Sequence, residues 1–214
     1  YSYNPLIYAW EPHKAFIELG GSKGAKTLLL GMNPGPHGMG QMGIPFSATS
    51  VVRDLLGIKD LEVLQPKKIH PKRPVTGLDW HKEEISGTRI WGILEEYYGS
   101  LEEIFSNIFI VNHCPLMLFT GERGTNITPD RISGEIVKEL LEKCDEHLVQ
   151  VVEIMGIKRV IGVGRYAEKR AKKALEHLDV EIVTCWHPSP ASPLANRNKG
   201  RDWKENIRNV LPKK

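Results

Sequence analysis

Apolar and polar positions along the chain fall into two kinds of pattern. Four short runs are apolar and rich in β-branched residues: 26–32, 107–112, 159–163 and 181–185. Each has the length of a buried strand. Between them lie stretches that read as helices. Residues 87–98 follow a Ser86-Gly87-Thr88 start, and residues 129–155 have Thr128 as N-cap, Pro129 at the first helical position and Gly156 as a stop. Residues 166–178 read as a strongly basic helix and residues 202–211 as a closing one. Strands alternating with helices predict parallel pairing through right-handed crossovers, hence a layered α/β domain. Residues 57–86 fit neither pattern. Pro66, Pro71, Pro74 and Gly77 interrupt them, and Lys67, Lys68, Lys72 and Arg73 cluster there. An irregular stretch of that length is either functional or mobile, or else a family-specific surface insertion.

Composition narrows the class. At 214 residues the chain is expected to form a single domain over 1–214, large enough to bury a core without staples. A hydrophobic share of 41% with 26% charged residues excludes wholesale disorder. No apolar run reaches the roughly 18 residues of a membrane span, and no signal pattern opens the chain. The expected setting is intracellular, in the cytoplasm or nucleoid of a bacterium or the nucleus of a eukaryote, with no membrane partner and the chain as a monomer. Cys114, Cys144 and Cys185 are far apart, too few for a disulfide framework or a four-thiolate cluster, and are expected to be reduced and buried. No CxxC or HxxxH pattern suggests zinc, so no metal is expected. Net charge is +3, but it is unevenly spread: residues 151–214 carry 14 Lys and Arg against 7 Asp and Glu, residues 1–150 carry 15 against 19. A basic C-terminal third is either a footprint for a polyanion or a solvated helix face.

The candidate chemistry sits where strands end, since open α/β sheets bind ligands beyond their C-terminal strand ends. The first strand runs into GMNPGPHGMGQMGIPF at 31–46, where glycines let the backbone approach a ligand and prolines stiffen it. Within it Asn33 is suited to hold a water or a substrate group, and Phe46 offers a flat face for stacking; a structural turn is the plain alternative. The second strand ends at Asn112, whose amide carries both a donor and an acceptor and matches the edge of an imide such as uracil. The fourth runs into Trp186-His187-Pro188-Ser189-Pro190, a stiff loop that sets His187 just past a strand end. His187 with Ser189 also suggests nucleophilic hydrolysis, but no GxSxG elbow supports it.

Taken together these stretches resemble the uracil-DNA glycosylase superfamily, and within it the single-strand-selective monofunctional uracil-DNA glycosylase family. The resemblance is carried by the 31–46 motif, NHCPLMLF at 112–119 and HPSP at 187–190. It is supported by YNPLIYAWEPH at 3–13, SVVRDLLGI at 50–58, SGTRIWG at 86–92 and GVGRYAEKRAKKAL at 162–175. It implies a three-layer α/β/α sandwich around a four-stranded parallel sheet. It also implies hydrolytic removal of uracil, and of some C5-modified uracils, from DNA without metal or cofactor.

By the same resemblance Asn33 orients the attacking water and His187 stabilises the departing base at O2. Phe46 stacks on the base, Asn112 reads its edge, and Met32 and Gly35 form pocket walls, with Gly35 leaving room beside C5. An amide cannot remove a proton, so loss of His187 is expected to cost at least as much as loss of Asn33. No lysine lies in either motif loop, so no lyase step is expected; Lys199 is the nearby residue that would overturn this. DNA contact is expected from Ser189, Ala191, Ser192, Arg197, Lys199 and Arg201. The chain departs from the family pattern at Ala191-Ser192, where a larger basic or polar pair is usual, and in a longer segment before Trp203. It also departs at His37, where an aromatic carbocycle is usual, and at Ser47, where glycine is usual. The rival readings are a damage-binding module without catalysis, a nucleotide- or ester-directed hydrolase using Ser189 and His187, and a glycosylase for xanthine or hypoxanthine.

Overall fold

The computed structural model describes residues 1–213. Its centre is a parallel sheet of β2 (Thr27–Gly31), β3 (Ile108–Asn112), β6 (Arg159–Val163) and β7 (Glu181–Cys185), in the order β3-β2-β6-β7. These are the four apolar runs, displaced by at most one residue at either end. Every residue of β2 is buried, as a central strand covered on both faces must be. The register aligns Thr27 with Ile108 and Arg159, and brings Gly31 beside Asn112.

Helices cover the sheet. Before β2 come β1 (Ser2–Tyr3), α1 (Pro5–Tyr8) and α2 (Trp10–Gly20); α3 (Met39–Met42), α4 (Ile85–Tyr98) and α5 (Leu101–Asn107) separate β2 from β3. β4 (Met117–Thr120), β5 (Thr125–Ile127) and α6 (Glu135–Met155) lead to β6, α7 (Arg165–Ala174) joins β6 to β7, and α8 (Pro193–Asn196) and α9 (Arg201–Arg208) follow. The α7 helix packs on β6 and β7 and against α6, while α2 and α4 pack against α5. The buried core joins the sheet to Phe16, Trp91, Phe105 and Trp203. Among the described residues no helix is long and apolar enough to cross a membrane. All three cysteines are free and buried.

Four sequence expectations are corrected. The helix expected over 129–155 begins at Glu135. Residues Pro129–Arg131 form a separate 3₁₀ turn, and Gly134 breaks the path with φ +120°, while the Thr128 side chain caps nothing. The basic helix ends at Ala174 rather than 178, and the last runs Arg201–Arg208. The start of α4 is Ile85, capped by the Glu84 carboxylate accepting the Ser86 N–H at 3.2 Å. A second, antiparallel sheet, ordered β1-β4-β5, was not expected at all.

The irregular stretch after residue 56 is tied down along its length. The His70 N–H donates to the Tyr3 hydroxyl (2.7 Å), which in turn donates to the Arg73 carbonyl (2.8 Å). The Leu64 N–H reaches the Tyr8 carbonyl at 2.7 Å. Gln41 donates to the Pro74 carbonyl (3.0 Å) and accepts the Thr76 N–H (2.9 Å). The result is a strap across the small sheet that delivers Glu84 to the C-terminal edge of the large one.

Candidate active site

The loops leaving β2, β3 and β7 enclose a cavity of about 410 Å³. Met32, Asn33, Gly35, Phe46, Asn112, His187 and Ser189 all line it. Ala191, Ser192, Arg197, Lys199 and Arg201 do not, and neither does His37.

Two of these side chains are held by the absence of a third. A Cβ on Gly31 would overlap Asn112 Oδ1 and stand 2.7 Å from Phe46 Cε2, so the Asn112 amide and the Phe46 ring occupy the space a side chain would take. Phe46 adopts φ +51°, a left-handed conformation that costs a non-glycine residue about 1–3 kcal/mol and is characteristically retained at functional sites. Its backbone lies against Gly87 of α4, where a Cβ would come within 2.8 Å of the Ser47 carbonyl oxygen. Asn112 is buried and its Nδ2 donates only to Met39 Sδ at 3.2 Å, a weak acceptor that a base edge would outcompete.

The Asn33 amide nitrogen faces the carbonyls of Leu116 (3.4 Å) and Pro34 (3.5 Å). That arrangement leaves Oδ1 to accept. His187 is complementary. Its Nδ1 accepts the backbone N–H of Ser189 at 3.1 Å, so in the neutral ring the proton resides on Nε2. Burial lowers its pKa below the usual imidazole value, which keeps that neutral tautomer. His187, Asn33 and Asn112 thus supply one neutral N–H donor, one amide acceptor and one amide that can do both. The Ser189 hydroxyl accepts the Ala191 N–H (3.2 Å) and is not bonded to the imidazole. The hydrogen bond that a Ser–His nucleophile pair would need is therefore not formed between Ser189 and His187.

The histidine loop is braced from two helices. Arg89 of α4 donates to the Pro188 carbonyl (2.7 Å) and to Asn196 Oδ1 (3.0 Å), and Asn196 donates to the Pro190 carbonyl (2.7 Å). From α9, Asn206 accepts the Trp186 N–H at 2.8 Å and the Trp203 indole donates to the Trp186 carbonyl at 2.9 Å. Arg197 pairs with Asp202 at 3.4 Å, while Asn198 and Lys199 are both left-handed, at φ +47° and +56°.

Behind Asn112 lies a buried polar network. His113 meets the Tyr166 hydroxyl (3.0 Å) through Nδ1 and Asp145 (2.9 Å) through Nε2, and Arg170 holds both oxygens of Asp145. Burial alone would raise the Asp145 pKa, but the bonds to His113 and Arg170 outweigh it and hold the carboxylate below its ordinary range.

Sequence reasoning missed Met39, Glu84, Ser86, Asn126 and Thr128, which also line the cavity. Glu84 Oε2 lies 3.1 Å from where a Gly35 Cβ would be, so a carboxylate stands beside the glycine wall. The signal for it was the Glu preceding the Ser86-Gly87 helix start. Asn126 and Thr128 arrive through the β4–β5 hairpin, for which the chain offered no periodic signal. Among the described residues no group of three or more His, Cys, Asp or Glu is arranged to hold a metal ion. A larger apolar hollow of about 460 Å³, bounded by α2, β3 and α6, touches the cavity through Met39 and Asn112.

Comparison with known proteins follows the same lines. The family description of the uracil DNA glycosylase superfamily matches residues 19–211. The chain is 45% identical over 197 residues to the single-strand selective monofunctional uracil DNA glycosylase of Bos taurus, covering 91% of this chain and 72% of that protein. It is likewise 45% identical over 197 residues to that of Rattus norvegicus, covering 91% and 70%. The crystal structure of Pedobacter heparinus SMUG2 superposes with a TM-score of 0.69 at 18% identity, over 98% of this chain and 84% of that one, which is a likeness of fold.

Proposed function

Since the chain belongs to the uracil DNA glycosylase superfamily, and within it to the single-strand selective monofunctional family, we propose that it excises uracil from DNA by hydrolysing the N-glycosidic bond and so opens base excision repair. The observation that carries the mechanism is the His187–Ser189 contact, which commits the imidazole to donating from Nε2.

In this reading the nucleotide is turned out of the strand and its base enters the 410 Å³ cavity. Extrusion costs a few kcal/mol in a duplex and least in a single strand, which fits the selectivity in the relatives' names. Phe46 stacks on the base. Asn112 Oδ1 accepts N3–H and Nδ2 donates to O4; cytosine presents the reverse pattern and would leave the amide unpaired, a strong basis for rejection. As the C1′–N1 bond lengthens, negative charge gathers on the base and positive charge on the sugar. The His187 Nε2–H donates to O2 and is most valuable when that charge has formed, once the bound base has displaced water from around it. Asn33 Oδ1 accepts from the water that captures the sugar. It orients that water without deprotonating it, so leaving-group stabilisation does most of the work. Among the described residues no lysine lines the cavity, so none of them offers an amine for a Schiff base, in keeping with monofunctional hydrolysis.

The test is a panel of labelled oligonucleotides carrying uracil, 5-hydroxymethyluracil, xanthine, hypoxanthine or thymine, in single and double strands, with chemical cleavage at abasic sites. The expected result is uracil release that collapses in His187→Ala. DNA binding without release of any base would sink the enzyme reading in favour of a damage-binding module; release of xanthine or hypoxanthine ahead of uracil would reassign the substrate.

A further inference from the structure

Next to the reaction cavity, with Pro36 in the lining of both, lies a second hollow of only about 60 Å³. Its lining includes His37, Gln41, Lys72, Arg73, Trp80 and Lys82, with three cations and no carboxylate. Its volume is about that of two waters at ~30 Å³ each, too small for a base or a sugar and sufficient for one tetrahedral oxyanion. The two hollows share Pro36, so an anion here is a near neighbour of whatever fills the larger one.

Two features mark it as built to take a ligand. The His37 and Trp80 rings stack at 5.5 Å with a 16° tilt, and His37 Nδ1 and Trp80 Nε1 are both buried without a partner. Trp80 is 8% exposed, and buried ring nitrogens in native proteins are nearly always paired. The cations are also uncommitted. Among the described residues Lys72 and Lys82 form no ion pair. Arg73 uses Nε on the Gly124 carbonyl (2.7 Å) and lays its guanidinium over Phe119 at 5.4 Å, which fixes the group and leaves its terminal nitrogens available. The carrier is rigid as well. The Lys72 N–H donates to His70 Nδ1 (3.0 Å), and His70 Nε2 meets the Gly121 carbonyl (3.0 Å).

We propose that this hollow seats one backbone phosphate of the DNA strand whose base occupies the neighbouring cavity, with Lys72, Arg73 and Lys82 as its cationic wall. The anion's chemistry follows from the hollow itself; its source, a DNA strand, rests on the proposed function. Such a contact positions the strand and carries no sequence information. It gives the strap between β2 and α4 a role in binding, separate from the basic segment at 197–201.

The experiment uses the Lys72→Ala/Lys82→Ala double variant, whose exposed side chains are absent from the reaction cavity. Binding of a uracil-containing single-stranded oligonucleotide is measured against salt. Loss of one phosphate contact lowers the slope of log K against log[salt] by about 0.7, so the wild-type advantage shrinks about threefold between about 50 and about 200 mM salt. The single-turnover excision rate at saturating DNA stays unchanged. In a second arm, methylphosphonate replaces the phosphates flanking the uracil one at a time. The wild type loses affinity at one position, and the double variant, which keeps Arg73, loses less there. Equal slopes for the two proteins, or no distinguishing methylphosphonate position, would overturn the proposal. So would inorganic phosphate raising the melting temperature of the wild type alone while the DNA slopes coincide, since the hollow would then hold a free anion only. A wild type that binds with the expected slope difference yet releases no base supports the phosphate seat and refutes the glycosylase reading instead.

Discussion

Replacing Gly31 by alanine probes the crowding on which the base-reading face depends. Inside a strand this change ordinarily stabilises by about 0.4–1 kcal/mol, because alanine restricts the unfolded chain. Gly31 has no positive φ to reverse that sign. Space reverses it. The new Cβ would overlap Asn112 Oδ1 and lie 2.7 Å and 3.0 Å from Phe46 Cε2 and Cζ, where ordinary contact begins near 3.5 Å. Overpacking of this kind costs about 1–3 kcal/mol, leaving a net loss of up to about 2.6 kcal/mol. The clashing atoms are side-chain ends, so the protein stays folded and relieves the overlap by moving Asn112 and Phe46. Losing the stacking face removes about 1–3 kcal/mol. A displaced amide leaves the base edge unpaired, at another 1–3 kcal/mol. At about 1.4 kcal/mol per decade, kcat/KM for uracil falls roughly 30-fold to 10⁴-fold. Urea denaturation gives the first quantity and single-turnover uracil release the second. Adding Asn112→Ala to Gly31→Ala should cost little more, since the amide is already displaced. A Gly31→Ala protein as stable as the wild type, with kcat/KM unchanged, would show that the two side chains do not depend on this glycine.

The remaining predictions concern charge and chemistry. His187→Ala lowers the excision rate by about 10²–10³ without unfolding the protein, measured under single turnover beside Asn33→Ala, which should lose no more. Because burial holds the His187 pKa below the usual imidazole value, the neutral donor persists through neutral pH and the rate falls only on further acidification; a rate that rises as pH drops from 7 to 6 would mean that the imidazolium is the active form. Burial likewise lowers the pKa of His13 and His147, so the unfolded chain takes up protons first. Their stabilising contribution is complete above about pH 6.5 and declines below it, as urea midpoints across that range would record. Asp145→Asn strips the charge that holds His113 and Arg170, at a cost of about 2–4 kcal/mol by the same denaturation assay. Excision should be unaffected by EDTA, and a loss of activity reversed by a divalent cation would require a metal in the mechanism.

The large sheet was legible in the chain because a strand covered on both faces is apolar nearly throughout, as 159–163 is. The edge run 181–185, with Glu181 and Thr184 exposed, was marked by its β-branched residues instead, and Gly156 ended α6 because the chain turns left-handed there at φ +61°. The small sheet was not legible, since strands of two to four residues are too short to show a period. The helix expected from Thr128 failed at Gly134, where the backbone leaves helical space despite a favourable Pro129 start. Motif order selected Asn33, Phe46, Asn112 and His187, and the parallel register brings them to one edge of the sheet. Sequence by itself determined which residue types stand at the strand ends. Only the tertiary structure decided that Gly31 makes room for Asn112 and Phe46, that Ser189 sets the His187 tautomer, and that Glu84 joins the cavity wall. Those are contacts between groups distant along the chain or a matter of loop geometry, and they exist only once sheet order and packing have placed them side by side.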